Sequence, residues 1–158
     1  MLVFGKEREI AKLLQTQFEE RKPEREYLAI VAGEVPKKGK FESYLATSPS
    51  LQQFSTKDED DGQLAITHYE LDRVVHDASV VRVWLETGRR NQIRVHFAET
   101  GHPVLGDPRY GAERSAHPRW RARRLALHAL KLGFKHPVTK KPMRFEAPVP
   151  RAFKSFTR

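Results

Sequence analysis

The sequence predicts an α+β fold in which strands outnumber helices, and three observations carry that expectation. Several runs combine β-branched, aromatic and alternating apolar residues and are bounded by Gly, Pro, Asn or Asp, as strands require. Clear helical spacing occurs in a stretch near the N-terminus and another beginning at Asn91, while Leu125–Phe134 has mixed periodicity that favours a strand. The 158 residues contain no cysteine, so neither disulfides nor cysteine-bound zinc replaces a packed core. Hydrophobic residues make up 39% and aromatics 9%, and a domain of this size buries roughly two-thirds of its unfolded surface. Length alone implies one domain, and there is no internal repeat or linker to divide it.

Met1-Leu-Val-Phe4 reads as a strand. A helix follows, because Ile10, Leu13, Leu14 and Phe18 recur on one face while Glu7, Glu9, Lys12, Gln15, Glu19 and Glu20 occupy the other. Early Glu7 and Glu9 and late Arg21 and Lys22 suit the helix dipole, and Pro23 ends it. Glu26–Ala32 is apolar on both of its alternating faces and reads as a central strand ending at Gly33. Residues 34–62 are polar, with one short strand at Phe41–Leu45. Asp58-Glu-Asp-Asp61 lacks calcium-loop spacing and reads as a solvated turn before Gly62.

Gln63–Val75 and Ser79–Glu86 look like an antiparallel hairpin joined around His76-Asp-Ala78. After the turn Thr87-Gly-Arg-Arg90, Asn91–Thr100 reads as a short helix with Gly101 as its stop. Arg109–Arg124 is a basic loop containing Trp120. Leu125–Phe134 and Met143–Ala147 are the last two predicted strands.

Charge is uneven along the chain. Residues 1–108 hold 15 basic and 18 acidic residues, a net of −3, whereas residues 109–158 hold 14 and 2, a net of +12. Such a segment suits a polyanion, because each neutralised phosphate releases condensed counterions. No apolar run approaches the roughly eighteen residues of a membrane span, and no secretory leader is evident. The expectation is a soluble cytoplasmic protein with a nucleic-acid partner and no membrane.

The densest polar cluster is Thr87-Gly-Arg-Arg-Asn-Gln-Ile-Arg-Val-His96. A strand-to-helix corner of this kind exposes backbone N–H groups and the positive end of a helix dipole. Arg89, Arg90 and Arg94 add donors that grip carboxylates or phosphates through two parallel bonds. Two readings stand here, an anion-binding corner and a salt-bridged surface turn.

That cluster, followed by Gly101-His-Pro-Val-Leu-Gly-Asp107 and Tyr110-Gly111, resembles the signature of the RluA-type RNA pseudouridine synthases. Companion stretches occur in order: Leu2-Val-Phe4, Gln17-Phe-Glu-Glu-Arg21, Glu26-Tyr-Leu-Ala29, Leu127-His-Ala129, His136-Pro137 and Phe145-Glu-Ala-Pro148. The resemblance spans essentially the whole chain. It implies a mixed, mainly antiparallel sheet with flanking helices, of which residues 1–158 form the C-terminal portion of the catalytic domain. It also implies isomerisation of uridine to pseudouridine in structured RNA, ribosomal or transfer, without a cofactor.

By the same resemblance, Tyr27 is the active-site tyrosine that stacks on the target base. Arg94 is the arginine that orients the catalytic aspartate and keeps it ionised. Arg89, Arg90, Asn91 and Gln92 are candidate RNA contacts, and Arg119, Trp120 and Arg121 join them as charge beside a stacking surface. His96, His102 and His128 lie in the motifs at no metal-ligand spacing and read as ordinary hydrogen-bonded histidines, so no metal is expected.

Two positions depart from the family pattern. Asn91 stands where histidine is usual. The nucleophilic aspartate belongs to a His-Arg-Leu-Asp motif expected just before Leu2, so the chain alone is expected to be inactive. His68-Tyr-Glu-Leu-Asp72-Arg73 echoes the motif from the wrong place, and Asp107 reads as a turn-fixing residue. A synthase read from an internal methionine is the leading expectation. The alternatives are a non-catalytic RNA-binding protein of the same fold and a split enzyme whose partner supplies the aspartate.

Overall fold

The computed structural model describes residues 1–20 and 22–158. The amphipathic stretch near the N-terminus forms α1, Arg8–Glu19, which buries Leu14. Arg21, expected to help close it, lies outside the described residues. The expected strand at Met1–Phe4 is not formed, and Leu2 and Phe4 are 82% and 80% exposed. An apolar run becomes a strand only where a neighbour accepts its backbone groups. β1 (Glu24–Ala32), which shares a cleft with Met1, Leu2 and Val3, is already paired on both edges.

Those edges belong to β5 (Ala78–Leu85) and β6 (Leu127–Lys135). With β2 (Lys38–Thr47), β3 (Gln53–Thr56), β4 (Gln63–Val75) and β7 (Pro142–Glu146) they make a seven-stranded sheet of order β3-β2-β4-β5-β1-β6-β7. Every ladder is antiparallel, and the only parallel element among the described residues is an isolated bridge between Gly33 and Ala78. β1 is central, as its two apolar faces require, with Ala29, Ile30 and Val31 wholly buried.

The β4–β5 hairpin turns at His76 and Asp77, whose φ angles of 55° and 57° match a type I′ turn. Asp58-Glu-Asp-Asp61 is a turn, closed by the Asp60 N–H donating to Asp58 Oδ1 at 2.9 Å. β2 runs well beyond the expected Phe41–Leu45, and β3 was not expected. Its sequence, Gln-Phe-Ser-Thr, has no alternation to betray it. Instead β3 is held from outside: the Gln53 N–H donates to Tyr110 Oη (3.0 Å) and the Ser55 N–H to Glu99 Oε1 (2.8 Å).

Two core layers follow from alternation along β1 and β5. On one face Tyr69, opposite Val83, packs with Phe41 against Phe97 of α2 (Gln92–Glu99). On the other, Leu28 and Val80 meet Phe153 of α4 (Arg151–Phe156). Neither α4 nor the single turn α3 (Ala112–Ser115) was expected. Phe153 and Phe156 stack edge-on against Trp120 at centroid distances of 5.4 and 5.9 Å. Among the described residues, no helix is long and apolar enough to cross a membrane.

Gln92 fastens α2 to the sheet. It is 2% exposed. Its Nε2 donates to Ile66 O (3.0 Å) and Thr67 Oγ1 (2.9 Å), while its Oε1 accepts from the Thr87 hydroxyl (2.8 Å) and the Arg89 N–H (2.9 Å). One turn later, buried His96 lies between Thr67 Oγ1, 2.9 Å from Nδ1, and Ser43 Oγ, 3.0 Å from Nε2. Burial pushes its pKa down to about 4, against a smaller upward pull from Glu99.

Gln92→Leu keeps the volume but strands several buried groups. It should lower the free energy of unfolding by about 3 kcal/mol or more, read from urea denaturation. His96 favours its neutral form in the fold, so its contribution is complete above the ordinary histidine pKa of about 6.5 and is lost as pH falls toward 4. That window carries about 3 kcal/mol, and His96→Asn should flatten the slope of urea midpoint against pH across it. An unchanged slope would mean that His96 binds its proton equally well in the folded and unfolded chain.

Candidate active site

The corner between β5 and α2 is built on Thr87, whose Oγ1 accepts the Ile66 N–H at 2.8 Å. Arg89 then turns back along β4, donating from Nε to Leu64 O (3.0 Å) and from Nη1 to Gln63 Oε1 (2.9 Å). Asn91 starts the helix in the left-handed region, at φ 57° and ψ 12°. Asn and His are both enriched there among non-glycine residues, which gives a backbone reason why asparagine can stand where the resemblance has histidine.

Arg94 projects from the first turn of α2. Its Nε and Nη2 grip Asp107 Oδ2 and Oδ1 at 2.7 and 2.8 Å, and its Nη1 donates to Asn91 Oδ1 at 2.8 Å. The guanidinium also lies 4.8 Å from the centroid of the Tyr110 ring. Asp107 is fully buried. Burial alone would raise its pKa, but Arg94 and the N–H groups of Arg109 and Tyr110 outweigh this and hold the carboxyl below its usual range. Asp107 therefore fixes its turn, as expected, and also fixes the plane of Arg94. Of the five guanidinium donors, three are engaged and two remain, on a side chain 16% exposed.

Tyr27 lines a cleft of about 250 Å³ with Met1, Val3, Phe18, Arg25 and Ala129 among its walls. The β1–β6 ladder shifts register here, Glu26 facing Lys131 and Tyr27 facing Ala129, so Leu130 is the extra residue and the bulge lies on β6. Burial raises the Tyr27 pKa, opposed by the positive charge of Arg25. Arg94 is not among the walls of this cleft, and its partners are Asp107, Asn91 and Tyr110. The two expected catalytic residues thus sit on β1 and α2 without touching.

The remaining candidates divide. Arg90, Arg119 and Arg121 are exposed. Gln92 is corrected: buried with every donor and acceptor satisfied, it is a structural brace with nothing left to offer RNA. Trp120 is corrected too, being 8% exposed with Nε1 donating to Arg124 O at 2.9 Å, so its ring belongs to the core. His102 lies with Nδ1 2.8 Å from Ala32 O, whereas His128 Nε2 is buried without a partner among the described residues. Asp72 lines a cavity with Leu28 and Phe153, on the sheet face opposite Tyr27. Arg25 was not anticipated. Its position two residues before Tyr27 was the available signal, since strand alternation puts both on one face.

The sequence pattern of the RNA pseudouridylate synthase family matches residues 1–99. The chain is 38% identical over 143 residues to the ribosomal large subunit pseudouridine synthase D of Zymomonas mobilis, covering 87% of this chain and 45% of that protein. It is 37% identical over 163 residues to an uncharacterized RNA pseudouridine synthase of Aquifex aeolicus, covering 98% and 51%. The chain thus spans about half the length of the curated relatives it matches. In fold it is similar to human RNA pseudouridylate synthase domain containing 1, with a TM-score of 0.76 at 23% identity over 92% of this chain and 62% of that one. With a pattern matched across more than half of its residues, the chain belongs to the RNA pseudouridylate synthase family.

Proposed function

We propose that residues 1–158 are the C-terminal portion of the catalytic domain of an RNA pseudouridine synthase acting on uridine in structured RNA, ribosomal or transfer. The observation that carries this reading is the cleft lined by Tyr27 and Arg25, the Arg25 guanidinium lying against Gly88 in the turn that leads into α2. A target base must leave its stack to react, at a cost of a few kcal/mol, and a half-buried tyrosine ring offers it a replacement surface.

In the reaction a carboxylate attacks the nucleoside and the C1′–N1 bond breaks. The uracil rotates, C1′ bonds to C5, the bond to the carboxylate breaks and frees it, and a proton leaves C5 while N1 is protonated. No electrons are gained or lost, so the balance needs no redox cofactor. The nucleophilic carboxylate is neither Asp107, which is locked on Arg94, nor Asp72, which faces the opposite side of the sheet. Arg94, with two donors still open and its plane held by Asp107, orients that carboxylate and keeps it ionised. Arg90, Arg119 and Arg121 contact phosphates.

Release of tritium from RNA labelled at uridine C5 reads the bond exchange directly. In the native gene product Arg94→Ala should lower kcat by about 10²–10³-fold with RNA affinity kept within about threefold. Full activity in that variant would remove Arg94 from the mechanism. Binding of structured RNA by the chain should weaken steeply with salt, and replacing Arg119 and Arg121 together by Ser should reduce the slope of log affinity on log salt by about 1.5–2. An unchanged slope would exclude both from the RNA interface.

A further inference from the structure

Among the described residues Arg25 is a cation without an anion. Its Nη2 reaches only the Glu86 carbonyl, at 3.5 Å, which is long for a hydrogen bond. Its Nε is buried and has no acceptor among the described residues. The nearby carboxylates are engaged elsewhere, Glu24 with Arg144 and Glu26 with Lys131 and Arg82. Its Cζ lies over the Phe18 ring, 5.9 Å from the centroid.

The loop is shaped around this group. A Cβ on Gly88 would overlap Arg25 Nη1, yet the Gly88 backbone is not in the left-handed region. Glycine there gives room for the guanidinium and nothing else. Burial also disfavours the charge, lowering the Arg25 pKa. A half-buried cation with an orphaned donor costs free energy. A ligand that brings an oxyanion into the cleft would recover it.

We infer that Arg25 is the oxyanion-binding residue of the Tyr27 cleft, its ligand a phosphate or carboxylate oxygen. The identity of the ligand rests on the uridine-isomerising reading: the oxygen belongs to a phosphate of the target nucleotide or to the attacking carboxylate. The presence of an anion site does not rest on it.

The chain is titrated with uridine, uridine 5′-monophosphate and inorganic phosphate, and the Arg25 Nε–H and Gly88 amide resonances are followed. A phosphate ligand makes the monophosphate bind about tenfold tighter than uridine or better. Arg25→Gln then erases the difference, as does Gly88→Ala, which keeps the charge but displaces it. If the ligand is the attacking carboxylate, uridine and its monophosphate bind alike. Arg25→Gln in the native gene product then lowers kcat for tritium release at least about tenfold at unchanged RNA affinity. An unmoved Nε–H resonance together with unchanged kcat overturns the inference. So does a marked fall in Tm for Arg25→Met, because a group that merely braces the fold would be missed, whereas an orphaned cation would not. Phosphate that shifts the Nε–H resonance in a protein that neither binds uridine nor releases tritium would preserve the anion site and refute the synthase reading.

Discussion

One buried amide governs the geometry of the candidate site. The carbonyl oxygen of Gln92 gathers the Thr87 hydroxyl and the Arg89 N–H, while its NH₂ reaches into β4. The corner between β5 and α2 is thereby closed, and the helix is seated on the sheet at one height and one rotation. Arg94 follows two residues later, so its direction is inherited from that seating. A less polar residue would leave buried donors and acceptors unmatched, which costs more than the hydrogen bonds themselves contribute.

From that fixed start, electrostatics sharpen the site. Asp107 reaches Arg94 from the loop after α2 and is itself held by two backbone N–H groups, so neither member of the pair is free to turn. Such a buried pair is weak evidence of net stability, because desolvation offsets most of the attraction. Its value lies in orientation, leaving open donors at a defined angle. Arg25 shows the opposite arrangement, a guanidinium shaped for by Gly88 yet unpaired. The fold thus holds one arginine whose charge is balanced and another whose charge awaits a ligand.

The basic C-terminal third depends on an apolar anchor. Trp120 is seated on Phe153 and Phe156, and its indole N–H is held by Arg124. The flanking Arg119 and Arg121 remain at the surface. A tryptophan between arginines reads naturally as a stacking platform, but it faces inward because α4 supplies the partners that cover it. The charges meet solvent because the aromatic ring does not.

What the sequence determined by itself is what local pattern encodes. β1, the β4–β5 hairpin, α2, β6 and β7 were legible because side-chain period and turn chemistry are properties of neighbouring residues. The motif from Thr87 to His96 was legible for the same reason, and it led to the family. Tertiary structure alone decided the rest. β3 exists because β2, Tyr110 and Glu99 hold it, and Met1–Phe4 is no strand because both edges of β1 are taken. Gln92 and Trp120 are buried by elements far away in the chain, and Arg25 becomes a cleft residue only when Gly88 folds against it. Partners set by chain topology leave no mark on local periodicity, so burial and unmet charge could be read only once the sheet had assembled.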